Sequence, residues 1–163
     1  MKKYLLILIM VLFQNWSFAQ IWTNPITGTN PNTSNPYTTG QTVDPNITVS
    51  GIGRGTGISG NNTNDRYDAT GWNSGNINTN DYFEFTITPN PGYKINLSSF
   101  VYVGTAAGGG GGASGPTNYA LRSSINGYTA NIGTGLTASS TVSLSGAAFQ
   151  NLTSAVTFRL YAW

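Results

Sequence analysis

Two stretches alternate with period two, and they constrain the rest of the chain. In Tyr82 to Thr88, the residues Phe83, Phe85 and Ile87 fall on one side, and Tyr82, Glu84, Thr86 and Thr88 on the other. In Ala155 to Trp163, Val156, Phe158, Leu160 and Ala162 oppose Thr157, Arg159, Tyr161 and Trp163. Successive side chains of a strand point to opposite faces, so each stretch reads as a strand with one buried and one wet face. A helix would scatter these apolar residues around its circumference.

Weaker signals of the same kind recur. Strands are expected near Ile21-Trp22, over Ile47 to Ser50, around Thr70–Trp72, over Tyr93 to Val103 with a bulge near Ser98-Ser99, over Tyr119 to Ile125, and over Thr141 to Ser145. Turn chemistry separates them. Pro89-Asn90-Pro91-Gly92 forces a reversal, and Asn126-Gly127 is a hairpin signal. The alternating glycines Gly51 to Gly60 read as a flexible or bulged stretch, and the five-glycine run Gly108 to Gly112 as a slack connection. No following helix or Lys-Ser/Thr pair makes that run a phosphate loop. No window carries helical period. The reading is all-β: an antiparallel β-sandwich, jelly-roll-like. The expected core is Phe83, Phe85, Ile87, Leu121, Val156, Phe158 and Leu160.

Residues 1–19 read as a secretory signal peptide. Lys2-Lys3 is the positive start, Tyr4 to Phe13 the apolar run, and Ser17-Phe18-Ala19 the small-residue cleavage signal, with cleavage before Gln20. Ten apolar residues are short for a bilayer span. Residues 20–46 read as an extended segment and 47–163 as the sandwich domain. Of the 144 residues after cleavage, 75 are Thr, Gly, Asn or Ser, which favour turns and strand surfaces. The chain stops in mid-strand at Trp163, so a raw sheet edge and a truncated piece of a longer protein, lacking its last strand, are expected.

Charge and missing residue types narrow the function. From Gln20 onward there are five bases and five acids, so the processed chain is neutral. Nucleic-acid binding loses its main driving force, and no transmembrane segment remains after signal cleavage. Without histidine or cysteine there is no Ser-His-Asp relay, no disulfide and no ordinary zinc site. Asp81 and Glu84, three apart on a strand, point to opposite faces and make a poor carboxylate pair. The domain reads as non-enzymatic. Asn61, Asn62, Asn64, Asp65 and Asp68 gather hard oxygen donors of the kind calcium needs, or else form a loop whose side chains satisfy its own backbone. No other cofactor is expected. The wet faces of the two best strands offer Tyr82, Glu84, Arg159, Tyr161 and Trp163 as a candidate platform for a glycan or surface polymer. The competing reading packs Tyr161 and Trp163 under a further strand or neighbouring domain. Arg122 is expected in a surface ion pair with Glu84 or Asp81.

The stretches Ile47-Thr48-Val49-Ser50-Gly51-Ile52-Gly53-Arg54-Gly55-Thr56-Gly57, Asp81-Tyr82-Phe83-Glu84-Phe85-Thr86-Ile87 and Gly115-Pro116-Thr117-Asn118-Tyr119-Ala120-Leu121-Arg122-Ser123-Ser124, in this order, resemble a jelly-roll module of secreted and cell-surface bacterial proteins. Such modules occur in Bacteroidetes proteins of type IX secretion that bear a C-terminal sorting domain. The resemblance covers roughly residues 45–163. It implies surface or secreted localisation and a further strand after Phe158–Trp163, then linkers and the sorting domain. It brings no catalytic residues. The expected roles are adhesion or carbohydrate contact, a structural spacer beside neighbouring domains, or an accessory domain of a larger secreted hydrolase.

Overall fold

The computed structural model describes residues 19–106 and 115–163. The expected leader, apart from Ala19, and the five-glycine run lie outside the described residues. The described chain is all-β and antiparallel. Its strands are β1 (Trp22–Thr23), β2 (Thr42–Val43), β3 (Ile47–Val49), β4 (Gly53–Arg54), β5 (Ser59–Gly60), β6 (Ala69–Thr70), β7 (Tyr82–Pro89), β8 (Ser99–Tyr102), β9 (Tyr119–Ser123), β10 (Ile132–Leu136), β11 (Ser140–Ser143) and β12 (Val156–Ala162). Two single 3-10 turns, Ser124–Asn126 and Ala147–Phe149, are the only helical segments among the described residues.

The main sheet runs β10-β9-β12-β7-β3, with β4 also on β7. Strands β3 and β4 are one line interrupted at a bulge: Ser50 Oγ accepts from the Thr86 N–H, and Ser50 N–H donates to the Thr86 carbonyl. Gly51, at φ +82, makes the kink that a side chain would oppose. The two strands clearest in the sequence pair directly, with Phe158 opposite Phe85, Arg159 opposite Glu84 and Tyr161 opposite Tyr82. The expected raw edge does not arise. β12 lies between β7 and β9, and the Trp163 carbonyl accepts from Thr117 and Asn118 N–H groups.

A second layer covers the inner face. It contains the antiparallel pair β8–β11 and the pair β1–β2. Phe85 stacks against Phe158 at 5.3 Å and meets Phe100 at 4.7 Å and Trp22 at 4.8 Å. Ile47, Ile87, Ile95, Leu97, Leu121, Val142, Leu144 and Val156 complete the core. Of the expected core, Phe83 and Leu160 are only half-buried. Phe83 belongs instead to a lateral cluster with Tyr67 and Trp72. Ile125, expected within this strand, is 43% exposed because β9 ends two residues earlier, at Ser123, where the 3-10 turn takes over.

Segment 20–46 is not a loose arm. It supplies β1 and β2, and Tyr37, 3% exposed, bridges Ile52 through two main-chain hydrogen bonds. The Gly51–Gly60 stretch, expected as flexible or bulged, has the bulge at Gly51 and lies close against neighbouring backbone beyond it. A Cβ at Gly55 would strike the Asn80 carbonyl, and one at Gly57 would strike the Asp81 carboxylate. These glycines let two backbones approach closely.

Candidate functional site

The outer face of the main sheet carries a cross-strand row: Gly53 on β4, Glu84 on β7, Arg159 on β12 and Arg122 on β9. Two adjacent arginines would repel unless each had its own partners. Arg159 Nε donates to Glu84 Oε2 at 3.1 Å, the one ion pair among the described residues. Its guanidinium lies 4.1 Å from the Tyr82 ring centroid and 4.1 Å from that of Tyr128. The cation is held flat between two rings. Arg122 turns the other way. Its Nε donates to Asn131 Oδ1 and its Nη1 to the Tyr128 carbonyl, so the expected pair with Glu84 or Asp81 is replaced by a neutral clamp on the β9–β10 loop. Tyr128 and Asn131, which complete the arrangement, follow the Asn126-Gly127 turn. Tyr128 takes φ +61, a conformation that no local sequence pattern announces.

The five proposed platform residues therefore gather on one face, but they do not present equal surfaces. Tyr82 and Tyr161 meet edge to face at 5.6 Å. Tyr161 is only 2% exposed, so it supports Tyr82 and offers no ring to solvent. Trp163 is half-buried at the end of β12. Glu84 and Arg159 keep 36% and 25% side-chain exposure, at which an ion pair contributes less than about 1 kcal/mol. Its use is orientation, because both side chains have fixed directions. Beside Glu84 opens a cleft of about 280 Å³ lined by Asn35, Pro36, Ser50, Gly53, Arg54, Glu84 and Thr86.

Arg54, one of the residues lining the cleft, is not singled out by its sequence context. It is buried with no carboxylate partner. Nε donates to the Asp68 carbonyl at 2.9 Å, Nη1 to the carbonyls of Asn32 and Ser34, and the guanidinium stacks on Tyr67 at 3.8 Å. Asn35 brackets it, accepting from its N–H and donating to its carbonyl.

Three of the five proposed calcium donors are engaged in hydrogen bonds. Asn61 Oδ1 accepts from the Asn62 N–H, Asn62 Oδ1 from Asn30 Nδ2, and Asp65 Oδ1 from the Gly28 N–H. Asn64 is exposed, and the Asp68 carbonyl serves Arg54. Two of these oxygens tie the 61–68 loop to the 28–32 loop, and a third is spent on its own loop's backbone. No group of three or more acidic side chains suited to a metal occurs among the described residues. Asp81 is buried, with Oδ2 accepting from the Asn73 N–H, and is separated from the outward Glu84.

Burial raises the phenol pKa of Tyr67, Tyr82, Tyr102 and Tyr119 above the ordinary 10.0. For Tyr82 the Glu84 carboxylate adds to this, and Arg159 opposes it. A raised folded value means that the folded chain holds protons the unfolded chain releases. Stability is therefore complete below about pH 10 and is lost as pH rises through the folded values. Urea midpoints should be level through neutral pH and fall in strong alkali, in step with phenolate absorbance. A midpoint that rises in alkali contradicts the burial of these rings.

No helix among the described residues is long and apolar enough to cross a membrane. No known protein family matches the sequence, and no curated protein or solved structure matches it.

Proposed function

We propose that the chain is a non-catalytic, exported β-sandwich module of a secreted or surface protein, and that the outer face of its main sheet contacts carbohydrate. The observation that carries this reading is the row Glu84–Arg159 held between Tyr82 and Tyr128, beside the Asn35–Ser50–Thr86 cleft. A sugar needs planar, preset donors and acceptors for its hydroxyls and an aromatic surface for its ring. Glu84 and Arg159 supply the first, and the exposed part of Trp163 with the edge of Tyr82 supplies the second. Tyr161 serves as their support. Export rests on the leader pattern, and surface or secreted localisation also on the resemblance to Bacteroidetes type IX secretion modules. The absence of histidine and cysteine from the sequence supports a binding role over a hydrolytic one.

One observation favours a spacer instead. Arg159 already covers a face of both Tyr82 and Tyr128, so this stack can be read as self-sufficient packing. A glycan array separates the two. On the binding reading, a glycan is retained with little salt dependence, since the processed chain is neutral. Trp163→Ala and Tyr82→Ala should each weaken it by about 1–3 kcal/mol. Retention unchanged by both substitutions, or no retention at all, leaves the spacer reading.

A further inference from the structure

Asn126 is the one asparagine of the chain that is followed by glycine. The pair sits at the exposed tip between β9 and β10, where the 3-10 turn Ser124–Asn126 ends on Gly127 at φ +65. Thr129 Oγ1 donates to the Asn126 main-chain carbonyl at 2.8 Å, while the Asn126 side-chain amide makes no hydrogen bond among the described residues. A Cβ at Gly127 would meet nothing within 4 Å, so the space beside its nitrogen is open. The Gly127 N–H donates to the Ser124 carbonyl at 3.2 Å, the closing bond of a single exposed turn. Bonds in such places open at little cost.

An open asparagine amide beside an unshielded main-chain nitrogen can react with it. The Gly127 nitrogen, losing its proton to solvent hydroxide, attacks the Asn126 side-chain carbonyl carbon. The bond from that carbon to the side-chain nitrogen breaks, ammonia leaves, and a cyclic imide remains. Water then opens either of the two ring bonds to the Gly127 nitrogen. One opening gives aspartate. The other gives isoaspartate, in which the main chain runs through the former side chain and is longer by one methylene. An amide and water are consumed, a carboxylate and ammonium are formed, and nothing is oxidised. The other asparagines lack a part. Asn24, Asn30, Asn35 and Asn90 precede prolines, which have no N–H to lose. Asn73, before Ser74, has its Nδ2 engaged by the Asn76 carbonyl at 3.0 Å.

We infer that Asn126 is a self-modifying site, and that its isoaspartate form releases Tyr128 from Arg159. Tyr128 follows two residues later at φ +61. It is fixed by its N–H on the Ser123 carbonyl at 2.9 Å and by Arg122 Nη1 on its own carbonyl at 3.1 Å. An added methylene between 126 and 127 lengthens the chain inside this closed turn. It also converts the carbonyl that Thr129 uses into a carboxylate. The Tyr128 ring, 4.1 Å from the Arg159 guanidinium, loses the backbone position that puts it there. The chain gains one negative charge in the same step. The site does not rest on the carbohydrate reading, because the Tyr128–Arg159 contact exists whether the outer face takes a sugar or only packs.

The test ages the intact, folded chain in mild alkali and follows it by peptide mass spectrometry, by ammonia release and by methyl transfer from an isoaspartate-specific methyltransferase. Asn126 should convert about tenfold or more faster than any other asparagine. Asn126→Gln, whose side chain would have to close a larger ring, should remove that fast phase. The NMR signals of the Arg159 side chain, shifted by the Tyr82 and Tyr128 rings, should move in the aged isoaspartate form and stay in place in aged Asn126→Gln. Fresh Asn126→Asp carries the charge without the methylene and should keep the original Arg159 signals. An Asn126 that stays intact in the folded chain while the same chain in urea converts it overturns the site, and so does another asparagine converting first. Unmoved Arg159 signals in the isoaspartate form, or signals moved equally by fresh Asn126→Asp, overturn the release of Tyr128 by the lengthened backbone.

Discussion

Phe158→Ala is expected to destabilise the chain by about 3–5 kcal/mol, measured as a lowered urea midpoint with an unchanged slope. Phe158 is fully buried at the centre of the central strand. It stacks on Phe85 at 5.3 Å and meets Phe149 at 5.8 Å. Its neighbours in the sheet are fixed on both sides, Phe85 in β7 and Ser123 in β9, so the space left by the ring cannot close by moving one strand. That rigidity places the cost at the upper part of the large-to-small range. Leu160→Ala, one inward position further along the same strand but half-buried, should cost less. Equal midpoint shifts for the two would mean that the core is not centred where the Phe85–Phe158 stack puts it.

The second large effect is at Arg54. Arg54→Ala should cost about 3–5 kcal/mol, because three half-buried carbonyls lose an Arg54 donor together, Ser34 keeping only the Tyr67 hydroxyl, and Tyr67 loses its cation. Arg54→Lys should recover less than half. A lysine keeps the charge but cannot reach Asp68, Asn32 and Ser34 with the geometry of one planar fork. Urea denaturation gives the magnitude, and limited proteolysis gives the location: new cuts are expected in 28–35 and 61–68, the two loops that Arg54 joins. A lysine variant as stable as the original would show that only charge matters there.

The sequence made the main sheet legible where alternation was long. Eight residues of β7 and seven of β12 carry enough repeats to mark each as a strand with two distinct faces, while their direct pairing is seen only in the structure. It made the loops much less legible. A glycine has the same sequence signature whether it supplies slack or close contact, and Gly55 and Gly57 supply contact because the 80–81 backbone lies against them. The platform residues were read as the outward positions of two strands, and they share a face because those strands pair. Their exposure was not, because it depends on what lies beside the face. Tyr161 is covered while Glu84 is open. Tyr128 belongs to that set through a turn conformation, and Arg54 through partners between 14 and 22 residues away, neither of which periodicity encodes.

The position of β12 governs when this sheet can exist. β7 and β9 are not neighbours; each pairs with β12, which comes after all the other described strands. A nascent chain holding everything up to Ser154 has both flanking strands and nothing to join them. The largest sheet therefore closes in one late event, across separations of about 70 residues between Glu84 or Phe85 and its partner. Pairings so distant in sequence form slowly, on the scale of milliseconds to seconds. Until that event the β3–β7 and β9–β10 pairs can form only as separate pieces, without the shared strand that makes one sheet of them.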